Sequence, residues 1–218
     1  MDAAVARGLV TRGSSEDAIY VAAAALLRAR GARGKLVDVG CGTGRFREEA
    51  GDLASGYTGV DVVRHPGLAP GLECLTVNLD IDPIPLAAES AEIVAAIETI
   101  EHLENPRRFW RELARVVKRG GWVVVTTPNQ TSALSLLSLA VRGRFPAFGD
   151  DYYPIHCTAL LPNDLVRMAR ECGLVDAEVS FTASGRMPLT AMHYPRLLSR
   201  LFPRALSDNV LVIARKHG

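Results

Sequence analysis

The stretch VDVGCGTGRF, residues 37–46, constrains the chain more than any other. An apolar run ends at a glycine, glycines recur at positions 40, 42 and 44, and the charged segment RFREEAGD follows. Glycine has no Cβ, so a ligand or a neighbouring backbone can approach closely, and a helix opening behind such a loop offers unpaired N–H groups. A plain strand-to-helix turn does not need alternate glycines, so the loop reads as a binding feature at the carboxyl end of a strand. The dinucleotide pattern G-x-G-x-x-G requires glycine at 45, where Arg45 stands. Asp38, just before the loop, would repel a pyrophosphate and suits a cationic ligand.

Segments around the loop alternate in period. Residues 15–30 predict a helix with Ser15 as N-cap and Gly31 behind its arginine-rich end. KLVDVG, YTGVDVV, LECLTVNLD, AEIVAAIE and GWVVVTTPN predict five strands, the fourth with small apolar residues on both faces, as a doubly covered strand requires. A helix is predicted over 106–119, capped by Asn105, with Pro106 first, an apolar stripe of Phe109, Trp110, Leu113, Val116 and Val117, and Gly120 and Gly121 at its end. PNDLVRMARECGL reads as a helix starting near Asn163 or Asp164. VDAEVSFTA and SDNVLVIARK read as two last strands, joined through an irregular stretch, 185–206, with a short helix at PRLLSRLF. Alternation of this kind predicts a doubly wound, Rossmann-like, mostly parallel α/β sheet. The final pair lacks a full crossover helix and is expected to run antiparallel. One domain spans 1–218, with residues 129–161 as an insertion of different composition.

Three acids stand at the ends of successive strands: Asp38, Asp61 and Asp80. Each alone is consistent with a solvated loop carboxylate, but ligands of open α/β sheets bind at these strand ends. Asp61 lies at the spacing from the glycine loop at which an acid reaches a ribose diol. VDVGCGTGRF, GVD, LDIDPIPL, EIVAAIETIEHLENP and GGWVVVTTPN, taken in order over residues 35–130, resemble the motifs of class I S-adenosylmethionine-dependent methyltransferases. The resemblance implies a seven-stranded sheet with an antiparallel last strand and S-adenosylmethionine as cofactor. It places Asp38, Gly40, Cys41, Gly42 and Gly44 at the methionyl part, Asp61 and Val62 at the ribose, Asp80 and Ile81 at the adenine, and Ile97 in the same site. Ala91 and Glu92 depart from the aromatic and aspartate that many relatives carry before the fourth strand.

IETIEHLENP, residues 97–106, follows the fourth strand. On a helical turn Glu98, Glu101 and His102 would share a face. A hydroxyl acceptor must lose its proton during methyl transfer, either to an imidazole or through a divalent metal that lowers its pKa. The E-x-x-E-H arrangement with a later histidine, His156, resembles two metal-dependent methyltransferase groups. One acts on the terminal 2′-hydroxyl of small RNAs and the other makes the O-methyl groups of ubiquinone intermediates. The resemblance implies Glu98, Glu101, His102 and His156 as ligands of Mg²⁺, Mn²⁺ or Zn²⁺, with Glu101 and His102 catalytic. His102 as a plain base, or as a residue that fixes the turn, stays open. His65, His193 and His217 read as ordinary loop histidines.

In the insertion, SALSLLSLAVRGRF predicts a helical lid over the acceptor pocket, with Tyr152 and Tyr153 lining it. Its apolar run followed by Arg142 and Arg144 gives a second reading, a weak membrane-surface contact through 132–146. The arginines of 107–119 read as a solvated helix face, and a net charge of +1 argues against nucleic acid as partner. Four cysteines without C-x-x-C pairing argue against a zinc ribbon or disulfide framework and fit a cytoplasmic protein. The expected function is O-methylation of a small hydroxylated metabolite. Its rivals are N- or C-methylation without a metal, a nicotinamide oxidoreductase, and a non-catalytic cofactor-binding regulator.

Overall fold

A computed structural model describes residues 3–11, 13–188, 190 and 192–218. Leu189 and Ala191, inside the irregular stretch, lie outside the described residues. The chain runs α1 (Ala3–Val10), α2 (Asp17–Ala29), β1 (Gly34–Val39), α3 (Arg45–Glu49), β2 (Ala54–Asp61), β3 (Cys74–Thr76) and β4 (Ala91–Ala96). A 3₁₀ turn (Ile100–His102) leads to α4 (Pro106–Val116), β5 (Val117–Pro128), α5 (Ala133–Arg142), α6 (Pro162–Glu171), β6 (Leu174–Phe181), α7 (Arg196–Leu201) and β7 (Asn209–Lys216).

The strands form one seven-stranded sheet in the order β3-β2-β1-β4-β5-β7-β6. β7 runs antiparallel to both β5 and β6, and the remaining pairings are parallel, as the alternating pattern predicts. Successive residues of β4 serve opposite cores. Val94 and Ala96 join Phe109, Trp110, Leu113, Leu165 and Met168 of α4 and α6, while Ile93 and Ala95 join Ala23, Leu27 and Phe46 of α2 and α3. Each large side chain so buried stabilises the fold by about 1.5–3 kcal/mol. Strand order reverses between β1 and β4, and a crevice opens there at the carboxyl ends of an open sheet.

Several boundaries depart from expectation. Ser15 does not cap α2; its N–H donates to the Tyr20 hydroxyl at 2.7 Å, and Glu16 is the N-cap residue. α4 stops at Val116 rather than 119, because β5 begins at Val117 with no loop between. Gly120, at φ +76°, and Gly121 lie inside β5, where its register with β4 shifts between Ala91 and Ile93. There the Cβ of a residue at 121 would stand 2.7 Å from the Glu92 carbonyl oxygen. β3 holds three residues of the nine read as a strand. Asn105 caps α4 as expected, accepting from Arg108 N–H at 2.9 Å. Sequence reading assigned no element to α1.

Candidate active site

The glycine loop turns through the left-handed region at Gly40 (φ +77°), Gly42 (φ +50°) and Gly44 (φ +79°). A Cβ on Gly40 would meet Thr99 Oγ1 at 2.1 Å, and one on Gly42 would meet the Gly13 carbonyl oxygen at 2.1 Å. The second contact exists because the segment after α1 lies across the loop: Thr43 N–H donates to Gly13 O at 2.8 Å. At the end of β2, Asp61 Oδ2 accepts from Gly42 N–H at 2.8 Å and Oδ1 from Val62 N–H at 2.7 Å. Its carboxylate is therefore aimed by backbone and not by a flexible partner.

A cavity of about 1200 Å³ lies over these strand ends. Gly40, Gly42, Asp61, Val62, Asp80, Ile97, Glu98, Glu101, His102 and His156 all line it. Four of the residues expected on the cofactor side do not. Asp38 is buried beneath the loop, where the Tyr57 hydroxyl donates to it at 3.0 Å. Burial, with Asp61 adding to it, raises its pKa to about 7. Cys41 points inward, its Sγ 3.9 Å from that of Cys74, and Gly44 serves as the N-cap of α3. Ile81 is 61% exposed, because the chain turns outward after Asp80; Leu79 lines the cavity instead. Tyr152 lines it and Tyr153 does not.

The four-residue cluster expected after β4 separates into one residue and three. The 3₁₀ turn begins at Ile100, so Glu98 precedes it, at φ +49°. Left-handed backbone at a non-glycine costs about 1–2 kcal/mol. Hydrogen bonds hold it there: Glu98 N–H donates to Thr126 Oγ1 (2.9 Å), the Thr126 hydroxyl to Oε1 (2.7 Å) and Asn209 Nδ2 to Oε2 (2.8 Å). Both carboxyl oxygens thus face β5 and β7, and Glu98 stands outside the ligand group. Burial, then the nearby Glu101, pushes its pKa well up.

Glu101, His102 and His156 offer ligand atoms within 4.8 Å of one another. Glu101 is 1% exposed; Oε2 accepts from the Thr127 hydroxyl at 3.1 Å, and Oε1 is buried without a partner. Burial raises its pKa to about 8. His102 Nδ1 faces the Ile155 carbonyl at 2.9 Å and His156 Nδ1 faces the Ala147 carbonyl at 2.6 Å. Each contact assigns the proton to Nδ1 and leaves an Nε2 lone pair, the arrangement by which protein carbonyls orient metal-binding imidazoles. Burial lowers both pKa values, so both rings are neutral at neutral pH. The insertion delivers His156 through the backbone: Cys157 and Thr158 N–H both donate to Glu101 O, at 2.9 and 3.0 Å. Tyr152 stacks on the His156 ring at 5.5 Å. An orphaned buried carboxylate oxygen beside two oriented imidazoles fits a divalent cation of borderline hardness.

Other lining groups escaped sequence reading. Arg7 of α1 reaches Asp80 Oδ2 at 2.9 Å, while Asp80 Oδ1 accepts from Glu104 N–H at 2.8 Å. His65, read as an ordinary loop histidine, is buried and lines the cavity. A Cβ on Gly13 would stand 2.7 Å from its ring, so an N-terminal glycine and a mid-chain histidine meet. No local pattern announces such a contact. From α5, Leu134, Leu137, Ser138 and Val141 close one side.

Residues 37–125 match the family model described as a methyltransferase domain. A ubiquinone biosynthesis O-methyltransferase of Burkholderia pseudomallei is 27% identical over 157 residues, 66% of this chain and 66% of that protein. One of Thiobacillus denitrificans is 29% identical over 73% of this chain and 71% of the relative. The chain thus spans about two thirds of the length of these relatives. Among solved structures, a methyltransferase from Thermotoga maritima described as a possible histamine N-methyltransferase superposes with a TM-score of 0.66 at 20% identity, over 91% of this chain and 87% of that one. A putative methyltransferase solved in complex with the Haloferax volcanii Trm112 activator gives 0.67 at 17%, over 100% and 99%.

Proposed function

We propose that the chain is a class I S-adenosylmethionine-dependent methyltransferase, as its match to the methyltransferase domain model and its relatives support, and that it methylates a hydroxyl oxygen of a small molecule at a site where Glu101, His102 and His156 hold a divalent cation. The observation that carries this reading is the Glu101 oxygen buried without a partner beside two imidazoles whose Nδ1 atoms are already engaged. The relatives' name specifies transfer to oxygen, which favours the same acceptor atom here.

S-adenosylmethionine would supply a methyl group on a sulfonium, ready for in-line displacement. Asp61 would take the ribose hydroxyls with the carboxylate that Gly42 and Val62 orient. Gly40 and Gly42 leave room for the methionyl part, and Asn78, Leu79 and Asp80 would border the adenine. A bound Mg²⁺, Mn²⁺ or Zn²⁺ would lower the pKa of an acceptor hydroxyl. Glu101 and the two histidines would hold that cation at the cavity wall and so help to position the acceptor oxygen, a role that can account for several kcal/mol of barrier. α5, as a lid, would keep water from the reacting atoms with Leu134 and Leu137.

The test is calorimetry on chelator-treated protein, titrating each cation and, separately, S-adenosylhomocysteine. A metal site lost in Glu101→Gln, with cofactor affinity retained, supports the reading. Cofactor binding with no metal site would replace it by a second one. His102, held neutral by burial, is then a general base, and nitrogen and carbon acceptors return.

A further inference from the structure

Two surface helices have their polarity reversed. α5 buries Ser135 and Ser138 and exposes Leu136, Leu137, Leu139 and Val141, the last by 74%. α7 repeats the inversion: Ser199 is fully buried, while Leu197 is 73% and Leu201 65% exposed, with Phe202 exposed just behind. The α5 serines are satisfied locally, Ser135 donating to the Asn129 carbonyl and Ser138 to the Arg144 carbonyl, each at 2.8 Å. A helix on an ordinary water-facing surface does the opposite. The two helices belong to one face, since Ala133 N–H at the start of α5 donates to the carbonyl of Ala205, just beyond α7, at 2.9 Å.

Charge distinguishes among possible occupants. Residues 130–149 and 179–207 contain no Asp or Glu, although the whole chain has 24 acids and a net charge of +1. They contribute Arg142, Arg144, Arg186, Arg196, Arg200 and Arg204. Asp150 and Asp208, from outside these segments, neutralise Arg144 and Arg186. The other four arginines are exposed and form no ion pair among the described residues. A second copy docked face to face would set these arginines against themselves. A bilayer with anionic headgroups accepts the apolar side chains and the cations together.

We propose that α5 and α7 form one face that docks on an anionic lipid bilayer, with the leucines and Phe202 entering the headgroup boundary and Arg142, Arg196, Arg200 and Arg204 on lipid phosphates. No described helix is long and apolar enough to cross a membrane, so the contact lies along the surface. Leu137 and Val141 line the cavity and are each more than half exposed, so they mark its mouth on this same face. Docking therefore sets the mouth at the lipid–water boundary.

The test is cosedimentation of the full chain with vesicles of phosphatidylcholine alone and of phosphatidylcholine mixed with phosphatidylglycerol. Binding to the mixed vesicles only, weakened by salt, is expected. Leu136→Gln/Leu197→Gln/Leu201→Gln and Arg196→Gln/Arg200→Gln should each weaken it about tenfold or more. Unchanged circular dichroism and melting temperature would exclude misfolding in either variant. Absence of binding to the mixed vesicles overturns the proposal, as does equal retention by both variants. Concentration-dependent dimerisation without vesicle binding, abolished by the leucine substitutions, would assign the face to a second copy and overturn it too.

Discussion

At the scale of single residues, the site separates side chains that hold the fold from side chains that face the cavity with capacity to spare. Asp61 belongs to the second kind: backbone N–H groups orient its carboxylate, leaving lone pairs for a diol. Asp61→Ala should weaken S-adenosylhomocysteine by more than about tenfold, or 1.4 kcal/mol, in a calorimetric titration; equal affinity would remove the ribose assignment. Glu98 and Glu101 are three residues apart and differ in kind. Glu98 spends both oxygens on Thr126 and Asn209, whereas Glu101 keeps one free. Glu98→Gln is therefore expected to leave cation affinity within a few-fold and to lower stability, while Glu101→Gln removes cation binding. Parallel losses in both variants would return Glu98 to the ligand set. This difference was not legible in the sequence. The E-x-x-E-H spacing marked the place, but only the left-handed backbone at Glu98 decides which carboxyl turns away.

At the scale of elements, what was legible follows burial. β1, β4 and β5 are covered on both faces, so their apolar runs were unambiguous, and the glycine loop announced where the sheet opens. α1 was invisible for the converse reason. It is eight residues long and draws its order from long-range contacts, chiefly Arg7 with Asp80 across 73 positions. A helix that short is marginal by itself in water. Its docking closes one wall of the cavity, with Arg7 and Gly8 both lining it. Arg7→Ala should raise amide exchange across residues 3–11 selectively and weaken cofactor binding, with the exchange of β4 and β5 unaltered. If exchange in 3–11 did not change, the Arg7–Asp80 pair would not be what holds α1 down. His156 teaches a related lesson. Its reading as a ligand rested on resemblance, and what brings it to the site is the pairing of residues 157 and 158 with the Glu101 backbone, a contact no periodicity encodes.

At the scale of the whole molecule, the ligand-free chain concentrates buried carboxyl groups at one end of its sheet, and its stability should depend on pH accordingly. Asp38 is driven from 3.8 to about 7 by burial, with Asp61 adding and Tyr57 opposing. Glu101 is raised to about 8 by burial, and Glu98 moves the same way. A raised carboxyl pKa means that the folded state binds the proton more tightly than the unfolded chain. Its contribution is then full at acid pH and declines as pH rises through the folded value. His102 and His156, lowered by burial from 6.5, act in the opposite sense, since the unfolded chain takes up their protons as pH falls. Well above pH 6.5 they are neutral in both states and their contribution fades, so the raised carboxyl groups dominate and stability should decline toward pH 8. Asp38 does not line the cavity, so its share can be isolated without touching a proposed ligand. Asp38→Asn keeps an acceptor for the Tyr57 hydroxyl and cannot ionise. The variant should gain on the parent by on the order of 3 kcal/mol between pH 4.5 and pH 8, read from urea midpoints at matched ionic strength. A difference that stays constant over that range would mean that Asp38 is solvated, and that the floor beneath the glycine loop is open to water.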